Sequence, residues 1–261
     1  MPSRTSRAPD PNDRVKAARA FAALKAQADP AKAEFFPGFF KAGPGQYAEG
    51  DRFLGVVVPV VRQVARDFSA MPSAEVAKLL ASPFNEARLL GLLILLRQYA
   101  RATRANADAE RVRIFRFFMR HRSAANNWNL VDSVAPGILG GELLRPKADR
   151  SIVYRLARSK NLWERRIAII ATFAWIRHDQ FDDTLKVCDL LIRDPHDLIH
   201  KACGWMLREV GKRDELVLRD YLDLNAGRMP RTMLRYSIEK LAPRERAGYL
   251  DRKREIKARR P

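Results

Sequence analysis

An all-α fold, arranged as one curved α-solenoid of stacked helical pairs, is predicted by three observations. Apolar residues recur at three- and four-residue spacing in segment after segment. Alternating strand-like runs are nearly absent, and Pro marks helix starts at Ser82-Pro83, Asp194-Pro195 and Met229-Pro230, where its missing N–H does no harm. The amphipathic stretches run over 15–28, 60–68, 73–81, 85–99, 109–120, 127–139, 152–159, 162–175, 182–193, 198–210, 215–222 and 231–241.

A repeat shows through this pattern. A basic or aromatic residue followed by a small-and-aliphatic run recurs at Arg88, Trp128, Arg166, Lys201 and Arg235, at intervals of 40, 38, 35 and 34 residues. Two helices in about 35 to 45 residues is the unit of HEAT-like helical repeats. An irregular helical bundle with similar helix lengths is the alternative, and it too is all-α. The expected organisation is a flexible tail over 1–12, a solenoid over 13–243 and a basic extension over 244–261. That extension carries eight Lys or Arg against three Asp or Glu, with no apolar stripe after Leu250. Residues 35–53, FFPGFFKAGPGQYAEGDRF, hold five Phe and one Tyr among Gly and Pro, and read as a structured loop that docks aromatics.

Composition narrows the partners. The chain has 261 residues, 49 Lys plus Arg and 30 Asp plus Glu, a net charge of +19 that favours polyanions and makes nucleic acid the leading partner class. The longest apolar stretch, Leu89 to Leu96, falls well short of the ~20 residues that cross a bilayer, so no membrane span is expected. The first residues lack an apolar signal core, and a cytoplasmic, nucleoid-associated protein is expected. Cys188 and Cys203 lie inside apolar helical patterns and read as buried free thiols. His196 and His200 are four apart but lack a third ligand at helical spacing, so no metal is expected, and no phosphate-loop or dinucleotide motif calls for a cofactor.

The candidate chemistry lies in NNWNLVDSVAP (126–136), where Trp128 and Asp132 are four apart and share a helix face. An acid beside an indole is unusual on an otherwise apolar helix. A core tryptophan with a capping aspartate is the structural alternative. Tryptophan and arginine combine again at matching repeat positions, in Trp163-Glu164-Arg165-Arg166 and Gly204-Trp205-Met206-Leu207-Arg208.

These stretches, with FFKAGPGQYAEGDRFLGV and MPRTMLRYSIEK, together resemble bacterial DNA alkylation repair proteins of the AlkD type, over Phe39 to Lys240. The resemblance implies a solenoid whose concave face holds duplex DNA and a glycosylase that removes N3- and N7-alkylated purines; a solenoid that wraps DNA can act as a monomer, which is the expected state. It further implies that Asp132 is the catalytic aspartate, Trp128 and Trp205 its aromatic partners and Arg166 the active-site arginine. Arg208 would lie at the DNA backbone, with Arg165 and Lys201 as further DNA-binding candidates, and Arg166 and Arg208 would grip phosphates flanking the lesion. Residues 49–52, EGDR, depart from the family's loop pattern. A non-catalytic DNA-binding solenoid and a protein-interaction scaffold are the competing functions.

Overall fold

The computed structural model describes the backbone of residues 15–258 and the side chains of residues 15–251, so the N-terminal tail expected over 1–12 lies outside the described residues. The chain forms two compact units, divided after Leu130. Among the described residues there is no strand, only an isolated bridge between Arg52 and Phe84.

The first unit contains α1 (Ala17–Lys25), α2 (Pro30–Phe40), α3 (Val58–Asp67), α4 (Ser73–Leu80), α5 (Asn85–Arg104) and α6 (Asp108–Arg120), then a 3₁₀ turn at Arg122–Ala124. Helix α7 (Trp128–Ala135) begins in the first unit and ends in the second. The second unit continues with a π-turn at Pro136–Gly140, α8 (Gly141–Leu143), α9 (Ser151–Ala157), α10 (Leu162–Ala171), α11 (Phe173–Ile176), α12 (Asp182–Leu191), α13 (Asp197–Arg213), α14 (Glu215–Asn225), α15 (Arg231–Ser237) and α16 (Pro243–Ala258). The five recurring residues read from the sequence, Arg88, Trp128, Arg166, Lys201 and Arg235, fall on α5, α7, α10, α13 and α15.

Helix α5 is the centre of the first unit. Leu89, Leu90, Leu92, Leu93, Ile94 and Leu95 are all buried, as expected of a helical segment, 89–96, that is apolar around its whole circumference. Helices α3, α4 and α6 pack against it. In the second unit α13 takes that place, packed against α10, α12, α14 and α15, with Ile199, Cys203, Met206, Leu207 and Val210 buried. Cys188 and Cys203 are buried free thiols, and burial pushes the Cys188 thiol up.

Two segments differ from the sequence expectation. Residues 35–40 are helical, so the aromatic loop begins at Lys41, where the chain turns left-handed at φ 58°. Helix α2 starts because Asp29 caps it by accepting from Lys32 N and Pro30 occupies its first turn. It then runs through Pro37, which forfeits one helical hydrogen bond. The basic extension is also helical at its start, in α16. It docks through buried Tyr249, whose hydroxyl donates to Asp223, and through Glu245, which accepts from Arg219 at 2.7 Å. Elsewhere, Pro136 closes the regular turns of α7 and Thr172 separates α10 from α11.

Gly204 lets α13 and α15 approach closely. A Cβ there would sit 2.5 Å from the Met233 carbonyl oxygen and 2.5 Å from Tyr236 Cβ, and the first of these is backbone. Gly204→Ala gains helix propensity of about 1 kcal/mol, but forcing the helices apart costs about 1–3 kcal/mol. A net loss of stability is expected, measured as a lower urea midpoint.

Candidate active site

The Trp128 side chain belongs to the first unit. Its ring stacks on Phe40 (centroids 5.2 Å apart, 26° between planes) and meets Phe39 edge-on at 5.8 Å. Phe40 in turn stacks on Phe53 at 5.2 Å, and Phe36 packs edge-on against both. Offset and edge-on pairs of this kind each contribute about 0.5–1.5 kcal/mol beyond the burial of their area. Together with Val56, Val57 and Leu89 these rings line an apolar cavity of about 300 Å³.

The loop behind this cavity is held from below by Glu86 on α5. Its buried carboxylate accepts backbone N–H groups from Leu54 (3.0 Å), Gly55 (2.9 Å) and Val56 (3.2 Å). Burial pushes the Glu86 carboxyl up, against the pull of these donors. Gly55 has φ 79°, and a Cβ there would lie 2.1 Å from the Asp29 carbonyl oxygen, so glycine is required twice over. Glu86→Gln keeps an acceptor but removes the charge that strengthens three hydrogen bonds. It is expected to cost about 1–2 kcal/mol, read as a lower midpoint in urea denaturation.

In the second unit Asp132 on α7 faces Arg166 on α10. Arg166 donates from Nε to Oδ1 at 2.9 Å and from Nη2 to Oδ2 at 2.8 Å, while Nη1 donates to the Leu198 carbonyl at 2.6 Å. The Arg166 side chain is 6% exposed and that of Asp132 19%. The two-point fork fixes the plane of the carboxylate as well as its position. Burial pushes the Asp132 carboxyl up, opposed by the charge and hydrogen bonds of Arg166. Arg166 is therefore not presented as a phosphate grip. Its donors are directed inward, where they orient Asp132.

Trp205, on α13, is half-buried and donates Nε1–H to Glu209 at 3.1 Å. Its ring lies 5.8 Å from Phe173, and the exposed Arg177 guanidinium sits 4.2 Å over the other ring of that pair, Phe173. The DNA-binding candidates each have a carboxylate partner. Arg208 pairs with Glu239, and Lys201 with Asp197 at 2.9 Å. Arg165 is paired with Asp194 at 2.5 Å and also donates to the Ser159 and Lys160 carbonyls. Arg165, 13% exposed, is thereby committed to tying two turns of the second unit together. His196 and His200 are likewise occupied by the backbone, His196 Nδ1 accepting from Leu198 N and His200 Nε2 meeting the Asp194 carbonyl.

Sequence reasoning missed Glu209, Phe173 and Arg177. The Trp205–Glu209 spacing of four on one helix was the available signal for the first. In the departing loop, Asp51 pairs with Arg88 at 2.6 Å and Arg52 lies over the Phe84 ring at 5.4 Å, so both serve the first unit's own packing.

The sequence profile of a family described as DNA alkylation repair enzyme matches residues 20–241. The chain belongs to that DNA alkylation repair enzyme family. Its fold is similar to that of a solved structure titled "Predicted DNA alkylation repair enzyme from Enterococcus faecalis", with a TM-score of 0.58 and 16% identity over 83% of this chain and 98% of the other. A search of curated protein sequences finds no match. No helix among the described residues is long and apolar enough to cross a membrane.

Proposed function

We propose that the protein is a DNA glycosylase that excises cationic N3- and N7-alkylated purines from duplex DNA, as the first step of base excision repair. The observation that carries this reading is the Asp132 carboxylate, held on both oxygens by Arg166 and retaining 19% exposure.

An alkylpurine with a formal positive charge leaves as a neutral base and needs no protonation. As the bond between the sugar C1′ and the purine nitrogen breaks, its electron pair goes to the base and positive charge develops on the deoxyribose. A fixed carboxylate stabilises that charge where it appears, with little reorganisation. Water then adds at C1′ and releases a proton, leaving an abasic site and the free base. Asp132 supplies the negative charge and retains lone pairs with which to orient the water. Arg166 acts as a positioning residue. Trp205 presents an aromatic face that favours a cationic nucleotide, and Trp128 is assigned the same role from the sequence resemblance. Arg208 and Lys201 would reach phosphates only by exchanging their present carboxylate partners.

The test is release of 7-methylguanine or 3-methyladenine from methylated duplex DNA, followed by chromatography. Release supports the proposal, while binding without release points to a non-catalytic DNA-binding protein. The rate on saturating DNA is expected to fall on acidification, because protonation removes the negative charge of Asp132. Its carboxyl is pushed up, so the loss should set in above the ordinary aspartate value of about 3.9. A pH–rate profile with its acid limb at or below that value would contradict this assignment.

A further inference from the structure

The first unit contains a second cavity, of about 380 Å³, whose chemistry differs from that of the aromatic one. Its wall is formed by the end of α4, by Arg88 on α5, and by the segment that leaves α6 through Arg120, His121, Ser123 and Asn126. The carbonyls that end a helix such as α4 repel an anion. Just past that end, Arg88 Nη1 donates to the Ser82 carbonyl at 2.9 Å and occupies this acceptor. Arg88 is in turn neutralised by Asp51, so it adds no net charge to the cavity.

The uncompensated cation is Arg120. It is exposed, and it forms no ion pair or side-chain hydrogen bond among the described residues. His121 is held beside it by stacking on Phe117, with ring centroids 4.1 Å apart, and by an Nδ1 contact of 2.9 Å to the Phe117 carbonyl. A carbonyl only accepts, so Nδ1 carries a proton, and Nε2 donates to an anion only in the imidazolium, where both ring nitrogens are protonated. Ser82 Oγ accepts from Phe84 N and keeps its hydroxyl proton to donate. Two lining residues also carry a buried polar atom without a hydrogen-bond partner, Arg88 Nε and Asn126 Oδ1. The Asn126 NH₂ is not among the buried atoms and makes no hydrogen bond among the described residues, so it can donate to an anion.

We propose that this cavity is a phosphate-binding site, with Arg120 as its principal cation and His121, Ser82 and Asn126 as supporting donors. On the reading that the protein acts on DNA, the phosphate is one of the nucleic acid. It anchors the first unit to the duplex without reading sequence. None of its residues overlaps the aromatic cluster around Trp128 or the Asp132–Arg166 pair.

The experiment compares wild type, Arg120→Gln and the double variant Arg120→Gln/His121→Gln with Lys25→Gln, which removes one exposed charge from α1. Affinity is measured against salt for closed circular duplex, linear duplex with 5′-phosphate ends and linear duplex without them, and inorganic phosphate is titrated by thermal shift. Arg120→Gln is expected to weaken duplex binding about tenfold at low salt and lower the salt slope by ~0.9, with Lys25→Gln close to wild type. Loss on circular DNA identifies a backbone phosphodiester, and loss confined to 5′-phosphorylated ends identifies a terminal phosphate. Either supports the site. If wild type binds DNA and Arg120→Gln binds it with the same affinity and slope, or no more weakly than Lys25→Gln, the proposal is overturned while the DNA reading stands. If wild type binds no DNA, that reading falls, and the phosphate titration decides the cavity alone. A shift lost in Arg120→Gln supports it, and no shift in wild type overturns it.

Discussion

Arg166→Ala is expected to lower stability by about 3–5 kcal/mol, because it leaves a largely buried carboxylate without the cation that compensates it. That is a large share of the 5–15 kcal/mol typical of a folded domain. The variant also removes the donor to the Leu198 carbonyl, which joins α10 to α13. With the opposing charge gone, the Asp132 carboxyl rises further, so the acid limb of the rate profile should move to higher pH. Arg166→Lys separates the two contributions. It keeps a positive charge but cannot form the planar fork that meets both carboxylate oxygens, and should lie between wild type and alanine in stability. Urea denaturation gives the first quantity and a single-turnover pH profile the second. An alanine variant as stable as wild type, with an unmoved acid limb, would mean that the pair does not position Asp132.

Most helices were legible because each contributes an apolar stripe at helical spacing, as in 85–99 and 198–210, found here as α5 and α13. Helix α2 was not, because Pro37 and Gly38 interrupt the pattern, and its aromatic face is recognisable only against Phe53 and Trp128. Helix α16 escaped for the opposite reason, since among its described side chains Tyr249 alone is buried, and one residue makes no stripe. Within the candidate site, Trp128 and Asp132 stood out by their spacing. Arg166 was preferred to its neighbour Arg165, and the structure separates them. Successive residues on a helix point about 100° apart, and these two meet Asp132 and Asp194 respectively. The pairings of Arg165, Arg208 and Arg166 were not legible because each reaches a carboxylate about thirty residues away in sequence, brought near only by tertiary packing.

Asp132→Asn is expected to lower the rate of base release at least ~100-fold, corresponding to about 2.7 kcal/mol of lost transition-state stabilisation. Asparagine preserves the shape of the side chain and can still accept one hydrogen bond from Arg166, so the loss concentrates on charge. The isostere also leaves a partly uncompensated guanidinium, and folding of the variant should be verified before its rate is compared. Duplex affinity should stay within a few-fold of wild type or rise slightly, because the change removes a negative charge near a polyanion. An equal fall in release and in binding would instead indicate a site that has lost its structure.

The most direct measurement is single-turnover release of the base from a duplex carrying one 7-methylguanine, with protein in excess so that all DNA is bound, for wild type and Asp132→Asn. Release by wild type that falls at least ~100-fold in the variant, at unchanged binding, is the predicted result. Equal release by the two proteins would contradict the role of Asp132, and binding by both with release by neither would contradict the glycosylase assignment.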